Sequence, residues 1–218
     1  EDYFRRVLQW PEGEVYSTAK VEAVRRWAVA TGLFERVDID TAKEPDPDTR
    51  LSAQLKVKEG PVRTVGVGAS YTTEYGDAVG GLAAAFFWEH RNIFGEAERL
   101  RFEGSFATLE QRLAAILRKP NYLQMDQTLV LSTEIHHQDI EAYRELSGTV
   151  FGGIERPLTR RLSLTTGLAL ELLQVDDLDR GRAQGKQKYF LVDTPTVLTY
   201  EGRDNIFNPT KGIFASFG

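Results

Sequence analysis

Two adjacent histidines with acidic neighbours are the residues that most resemble a metal site. His136 and His137 follow Glu134 and precede Asp139, and imidazole and carboxylate groups are common metal ligands. In a strand, however, adjacent side chains point to opposite faces, so the two histidines cannot easily chelate one ion. We therefore expect no metal at this position.

An acidic run offers a second kind of ion site. Asp176, Asp177 and Asp179 carry the oxygen ligands that calcium prefers. The run lacks the ligand spacing and the glycine of an EF-hand loop. We interpret it as part of a solvated loop.

Carboxylates on the polar faces of alternating segments are the remaining catalytic candidates. They are Glu89, Glu103, Glu134 and Glu171. A pair of carboxylates can act as general acid and base, but arginines occupy the same faces, and no serine is placed for a Ser-His-Asp mechanism. We expect these groups to solvate a polar wall, and we predict a protein that is not an enzyme and needs no cofactor.

The composition excludes several classes of protein. Cysteine is absent from the 218 residues, which excludes a disulfide framework and a thiolate metal site. The 27 basic and 32 acidic residues give a net charge of −5 and no reason to expect nucleic acid as a partner. No apolar run approaches the ~20 residues of a transmembrane helix.

The segments that must position these groups alternate between apolar and polar residues. Residues 86–106 have the pattern of two strands joined by a turn around Asn92 and Gly95. Before the turn, Leu82, Ala84, Phe86 and Trp88 share a face opposite Ala83, Ala85, Phe87 and Glu89. After it, Leu100, Phe102 and Phe106 lie opposite Arg101, Glu103 and Ser105. One such hairpin fits a soluble sandwich as well as a membrane barrel, in which Trp88 and Phe94 would form an interfacial girdle.

The length and number of the alternating segments favour the barrel. Eight strands are predicted: Arg63–Tyr71, Gly80–Arg91, Arg99–Thr108, Gln111–Lys119, Gln127–His137, Gly148–Arg156, Arg161–Leu173 and Tyr189–Glu201. A ninth strand begins at Gly212. Eleven residues at ~3.3 Å each and ~45° tilt cover ~25 Å, the height of a barrel's apolar band. Ordinary strands average only ~5–6 residues.

The leucine-rich segment gives the sharpest prediction about faces. We expect a lipid-facing, convex row of Leu162, Leu164, Leu168, Leu170 and Leu172, and a concave side that carries Arg101, Glu103, Arg161 and Glu171. Tight links alternate with others, of which two are long and charged, Gln138–Ser147 and Gln174–Lys188. Barrels place tight turns on the periplasmic side.

The N-terminal residues have a different pattern. Phe4, Val7 and Leu8 predict a short first helix, and a second helix begins at Ser17 or Thr18 and stops at Gly32. Strands follow at Arg36–Asp40 and Leu51–Val57. The fold class is therefore mainly β: residues 1–61 form a small α+β domain, and residues 62–218 supply antiparallel barrel strands of a partial barrel.

Three motifs in order resemble those of a known family. They are Gly13-x-x-Tyr16 with Thr31-Gly32-Leu33-Phe34-x-x-Val37, then Glu89-His90-Arg91-Asn92-Ile93-Phe94-Gly95, then Asn208-Pro209-Thr210-Lys211-Gly212. The chain resembles the outer-membrane assembly-factor superfamily, the bacterial surface antigen family. The run Ala97-Glu98-Arg99-Leu100 favours its TamA-like branch, with the BamA-like branch second. The chain then corresponds to the last POTRA unit, without its first strand, and the first half of the barrel.

The resemblance implies a function and a location. A family member in the bacterial outer membrane, with its N-terminal domain in the periplasm, assembles or inserts other proteins. The implied partners are unfolded outer-membrane proteins or autotransporters, the lipid bilayer and a periplasm-spanning TamB-like protein. The alternative is a passive porin or transporter barrel, which predicts no folded domain before the first strand. An outer-membrane enzyme and a soluble β-rich binding module are further alternatives.

The resemblance also implies where clients pair. The lateral gate would be the first barrel strand: Val65, Gly66, Val67, Gly68, Ala69, Ser70 and Tyr71. Glycines at 66 and 68 weaken strand pairing, so this seam should open most readily, although glycines can also merely relieve crowding at a barrel corner. A second candidate is the POTRA edge at Val37, Asp38 and Ile39. We expect an open curved sheet, or edges paired between copies, rather than a closed eight-stranded monomer.

Overall fold

A computed structural model describes residues 13, 15–42, 44–47, 49–72, 81–140, 143–177, 186–205 and 208–218. The chain divides into two compact units. The first comprises Glu1–Thr64 with His90–Glu98, and the second comprises Val65–Glu89 with Arg99–Gly218. The predicted helix around Phe4 lies outside the described residues.

The first unit contains one described helix and two strands. Helix α1 (Thr18–Ala30) has Ser17 at its N-cap and ends where Gly32 takes φ +67°, which confirms the predicted boundaries. Its buried side includes Val24 and Ala28. Within the described residues, no helix is both long enough and apolar enough to cross a membrane.

Strands β1 (Phe34–Thr41) and β2 (Ala53–Glu59) form a two-stranded antiparallel sheet. Both strands were predicted, because apolar and polar residues alternate in each. The turn His90–Glu98 completes the unit: the Asn92 side-chain oxygen accepts the Ala97 N–H at 2.9 Å, and Ala97 is buried with Leu33. Arg91 Nη1 donates to the Gly32 carbonyl at 3.3 Å.

The second unit is built on one large sheet. Its strands are β3 (Arg63–Thr72), β4 (Gly81–Arg91), β5 (Arg99–Ala107), β6 (Glu110–Lys119), β7 (Thr128–Asp139), β8 (Tyr143–Pro157), β9 (Leu162–Asp177), β10 (Gln187–Asp193), β11 (Thr196–Glu201) and β12 (Phe214–Phe217). Each strand lies beside its neighbour in the chain, except that β10 and β11 both pair with β9. In the described residues, β3 and β12 end the sheet, so the expectation of an open sheet is confirmed.

Two predicted strand boundaries were wrong for the same reason. The charged link Gln138–Ser147 is mostly strand, because β7 runs to Asp139 and β8 begins at Tyr143. Strand β9 likewise continues to Asp177. Charge alone does not end a strand: Arg144 lies opposite Asp139 in the ladder, and its Nη2 contacts the Asp139 carboxylate at 2.8 Å. Asp179 of the acidic run lies outside the described residues.

The predicted strand Tyr189–Glu201 is divided at Pro195. Asp193 pairs with Ala169 and Thr196 with Thr166, so the register continues unchanged across the break. Gly167 donates its N–H to the Pro195 carbonyl at 3.2 Å, but proline has no N–H to return the bond. The division is a missing ladder hydrogen bond and not a turn.

The register sorts the side chains of the sheet into two faces. The apolar face carries two cross-strand rows: Phe102, Ala115, Thr133, Val150, Leu170 and Val192, and Gly104, Leu113, Ile135, Gly148, Leu172 and Phe190. The ion-paired face carries the row Glu103, Ala114, Glu134, Thr149, Glu171 and Leu191. The leucines predicted to share a face, Leu162, Leu164, Leu168, Leu170 and Leu172, therefore lie opposite the carboxylates of this row, as the alternation predicted.

Candidate functional site

Strand β3 is the terminal strand of the large sheet. In the part of the chain that the structure describes, β4 is its one neighbour. The side chains of Val65, Val67 and Tyr71 are 69%, 84% and 73% exposed. A terminal strand presents a row of backbone N–H and C=O groups along its outer edge, and such a row is a template for another strand.

Gly66 lies beneath an aromatic ring of the neighbouring strand. A Cβ added at Gly66 would stand 2.1 Å from Cε1 of Phe87, so no residue with a side chain fits without moving the ring. The Phe87 ring therefore covers the bare backbone of β3, as aromatic residues do for glycines at sheet edges. This contact places Gly66 and Phe87 on the same face of the sheet.

The Phe87 ring contacts an arginine that is itself ion-paired. The Arg101 guanidinium stacks over it at 4.0 Å from the ring centroid, a cation–π contact. Arg101 Nε contacts the Glu103 carboxylate at 2.8 Å, and Nη1 lies 3.7 Å from the Glu89 carboxylate. Because these charged groups belong to the ion-paired face, Gly66 lies on that face too.

The ionic contacts continue across the next strands. Arg112 Nη1 lies 3.4 Å from Glu103, and its Nη2 lies 2.6 Å from Glu134. Three of the carboxylates singled out in the sequence, Glu89, Glu103 and Glu134, thus alternate with arginines along this face. Such pairs neutralise one another and hold each other's orientation.

Gly68 has a different environment from Gly66. Alternation places it on the same face, but among the described residues no atom comes within 4 Å of a Cβ added there. It borders a cavity of about 440 Å³. The cavity is lined by Gly66, Val67, Gly68, Ala85, Phe86, Phe87, Arg101, Glu103, Gly104, Ser105 and Arg112.

The opposite face of β4 packs by aromatic contacts. Trp88 lies 5.7 Å from Phe102, and Phe86 stacks on Phe106 at 6.2 Å. These pairs place Phe86 and Trp88 on the apolar face, as the hairpin pattern predicted. Phe94 is 71% exposed in the turn.

The second predicted edge lies in the first unit. Val37 is buried, and β1 pairs along one side with β2. In the described residues no strand lies along its other side. Asp38 contacts Arg36 Nε at 2.6 Å. The structure therefore does not bring Val37, Asp38 and Ile39 together with Val65–Tyr71 in one sheet.

The two adjacent histidines, His136 and His137, contact different oxygen atoms. His136 Nε2 is 3.2 Å from Glu110 Oε1 and its Nδ1 is 3.8 Å from Glu145 Oε1, whereas His137 Nδ1 is 2.9 Å from the Glu145 carbonyl oxygen. No cluster of three or more His, Cys, Asp or Glu with a geometry that could hold a metal ion occurs in the described residues.

A family comparison decides which group of proteins this sheet belongs to. Residues 92–218, more than half of the chain, match the Omp85 superfamily domain. The chain belongs to the Omp85 superfamily.

Two relatives support the Omp85 assignment. The "Outer membrane protein assembly factor BamA" of Neorickettsia risticii (strain Illinois) is 23% identical over 221 residues. That alignment covers 98% of this chain and 29% of the relative. The crystal structure of BamA from Haemophilus ducreyi lacking POTRA domains 1-3 superposes with a TM-score of 0.75 at 18% identity, over 99% of this chain and 44% of that one. At this identity the superposition establishes the fold.

These findings confirm the family predicted from the three motifs. Both relatives are BamA proteins, so a BamA-like member is supported, and the preference for the TamA-like branch stays a prediction. The Omp85 chain spans less than half the length of either relative.

Sequence reasoning identified the terminal strand but missed how its two glycines differ. The relevant signal was present: Gly66 and Gly68 alternate along β3, and Ala85 and Phe87 alternate along β4 with the same spacing. Aligning the two strands would have paired one glycine with a ring and the other with a methyl group. The periodicity of either strand alone does not carry this information.

Proposed function

We propose that this chain is part of an assembly factor that inserts other proteins into the bacterial outer membrane. The names of both relatives and the shared sheet support the proposal. The protein acts without covalent chemistry, through the pairing of strands. A TamB-like partner and autotransporter clients remain predictions from the family resemblance.

The two faces of the large sheet fit a membrane setting. On the apolar face, large side chains stay exposed, with Leu172 at 65%, Phe190 at 63% and Ile135 at 57%. A continuous exposed apolar surface marks an interaction with lipid or protein. We assign this face to lipid and the ion-paired face to the interior of the barrel. Residues 1–61 are then a POTRA-like domain in the periplasm.

The pairing of β3 with a client strand carries the mechanism. A strand that enters lipid must have its backbone groups bonded, because each unsatisfied group there costs several kcal/mol. Adding that strand to an existing sheet edge satisfies them, and this is β-augmentation. The observation on which the proposal rests is that β3 ends the described sheet. Val37–Ile39 in β1 is a second edge that can hold clients earlier.

A disulfide experiment tests this function. The 218 residues contain no cysteine, so Ala69→Cys, in a full-length protein from which any other cysteine has been removed, creates a single reporter on β3, on the side of the strand away from the cavity. Client proteins that carry one cysteine per strand are then assembled in vesicles of outer-membrane lipids. We expect disulfide capture at Ala69, because paired strands bring Cα atoms within the 4.4–6.8 Å that a disulfide needs.

The matched control is Val150→Cys, which is also exposed on the apolar face but lies in β8, between two paired strands. It should capture no client strand. The proposal would be contradicted if client proteins were assembled while capture at Ala69→Cys was absent or no greater than capture at Val150→Cys. A passive porin would give neither assembly of client proteins nor capture.

A further inference from the structure

We propose that the apolar face carries a groove for an anionic membrane lipid, with one acyl chain over Gly148 and the lipid phosphate at Lys188. This inference rests on the proposed function in one respect, which is that the apolar face is the lipid-facing one. The groove lies on strands β7 to β10, in the middle and far part of the sheet. Strand β3 and the pairing of client strands take no part in it.

A cavity of about 460 Å³ opens on this face. Its volume is within the ~300–1,000 Å³ range of ligand-binding pockets. The register and the alternation of side chains place six of the lining residues on the apolar face. They are Ile135, Leu146, Gly148, Leu172, Gln174 and Lys188.

Gly148 forms the floor of the groove. It lies between Ile135 of β7 and Leu172 of β9 in one cross-strand row, and no described atom comes within 4 Å of a Cβ added there. Strands β7 and β9 are about 9.6 Å apart, twice the spacing of neighbouring strands. A hydrocarbon chain midway between them is therefore about 4.8 Å from each strand, close to the ~4.0–4.5 Å of apolar contact. The gap has the width of one acyl chain.

A lysine and an amide lie at one end of the groove. Lys188 is opposite Gln174 in the ladder, and the Cα atoms of such a pair are about 4.5–5.5 Å apart. The ammonium group and the amide N–H₂ can therefore donate to the same phosphate group. The next row outward on this face is charged, with Arg144 between Asp139 and Asp176. Lys188 thus lies where apolar rows change to charged ones, the depth at which a lipid head group joins its acyl chains.

The charges at this end favour an anionic head group. Arg144 is paired with Asp139 at 2.8 Å, whereas Lys188 makes no ion pair within the described part of the chain. The long stem of a lysine can follow apolar surface while its ammonium group stays at the polar boundary. A free phosphate would leave Ile135 and Leu172 uncovered, but a lipid occupies both the polar end and the apolar floor.

Quenching by brominated lipids provides the test. Phe190→Cys, in a full-length protein from which any other cysteine has been removed, carries a fluorophore beside Leu172 on the apolar face. The protein is titrated in phosphatidylcholine vesicles with dibrominated phosphatidylglycerol or dibrominated phosphatidylcholine of the same chain length. We expect phosphatidylglycerol to bind about fivefold more tightly beside the fluorophore, the preference that one lysine at a membrane surface gives an anionic lipid.

Two substitutions separate the head group from the acyl chain. Lys188→Gln should make the binding of the two lipids equal, and Gly148→Leu should do the same by filling the floor while the lysine remains. Lys186→Gln is the matched control for charge, because Lys186 is exposed two residues earlier and does not line the cavity. Gly68→Leu is the control for added bulk, since its Cβ also meets open space among the described residues, on the opposite face. Both controls should keep the fivefold preference, and resistance to trypsin confirms that each variant is folded.

The outcomes separate this inference from the function on which it rests. Equal binding of the two lipids to the unsubstituted groove, or a preference that survives Lys188→Gln or Gly148→Leu, overturns the groove and leaves the proposed function intact. Displacement of phosphatidylglycerol by millimolar inorganic phosphate also overturns it, in favour of a site for free anions. Quenching by neither lipid means that protein covers this face, as a second copy of the chain would, and overturns both the groove and the assignment of the face to lipid.

Discussion

Strands β3 and β9 both place glycines on the ion-paired face, but the surroundings of those glycines differ. In β9, Gly167 is enclosed: an added Cβ would lie 2.5 Å from the Phe151 ring and 2.6 Å from the Gly152 carbonyl oxygen. In β3, Gly66 meets a ring alone, and Gly68 meets nothing described within 4 Å. Position in the sheet, and not residue type, decides what each glycine does.

This comparison changes the interpretation of glycines in the terminal strand. From the sequence alone, Gly66 and Gly68 are expected to weaken strand pairing equally. The structure shows Gly66 as a packed contact to β4, while Gly68 alone of the two leaves space. A terminal strand can therefore be attached firmly to its inner neighbour and still be open toward its outer edge.

Alanine substitutions at the enclosed Gly167 and at the open Gly68 should give the largest difference in the free energy of unfolding. We expect Gly167→Ala to lower the free energy of unfolding by about 2 kcal/mol, because its Cβ meets a backbone carbonyl that cannot rotate away. Gly68→Ala should change it by less than about 0.5 kcal/mol. Urea titration of the protein in lipid vesicles measures both. Similar values for the two variants would remove the distinction between enclosed and open glycines.

Removing the ring over Gly66 should have a smaller effect. Phe87→Leu uncovers the glycine and loses the stacking of Arg101, and we expect a cost of about 1–2 kcal/mol in the same titration. Phe94→Leu serves as the control, since Phe94 is mostly exposed in its turn. If Phe87→Leu were as neutral as this control, the ring would not be what attaches β3 to β4.

The smallest effect on stability is expected from the protonation of Asp204, at the far end of the sheet in the turn before β12. Asp204 accepts the Thr210 hydroxyl and the N–H groups of Thr210, Lys211 and Asn205. These bonds lower the pKa of Asp204 from its ordinary 3.8 to about 2. Since the charged form is favoured in the folded turn, its stabilisation is full above pH 3.8 and is lost as the pH falls toward 2.

Hydrogen exchange at the Lys211 amide measures this loss. Protection, corrected for the intrinsic exchange rate, should fall between pH 4 and pH 2, and Asp204→Asn should show lower protection at pH 5 without that fall. An unchanged profile in the variant would assign the pH dependence to another group.

Local patterns predicted much of this fold. The alternation from Leu162 to Leu172, interrupted only at Thr166, defined a strand and its two faces, because one face of a sheet must be largely apolar. Turn chemistry at Asn92 and Gly95 located a hairpin, and both residues take positive φ there. These predictions needed only residues close together in the sequence.

The errors came from features that depend on the partner strand. Arg144 and Asp139 look like loop residues alone, but each compensates the other across a ladder. Pro195 interrupts a strand because proline has no N–H to donate back to Gly167, whose own N–H donates to the Pro195 carbonyl. The cover over Gly66 likewise requires knowing that Phe87 lies beside it. The register between neighbouring strands determines all three features. Register can be inferred from the sequence only by comparing two segments with each other.

The order of the sheet has a consequence for how the protein itself folds. From β3 to β9, each strand pairs with the next in the chain, and the links between them are short. Contacts close in sequence form fast, because little loop entropy is lost in closing them. Any hairpin can form first and grow in both directions, one strand at a time. Whichever starts, β3 joins the described sheet through a single neighbour, so its attachment depends on β4 alone among the described strands.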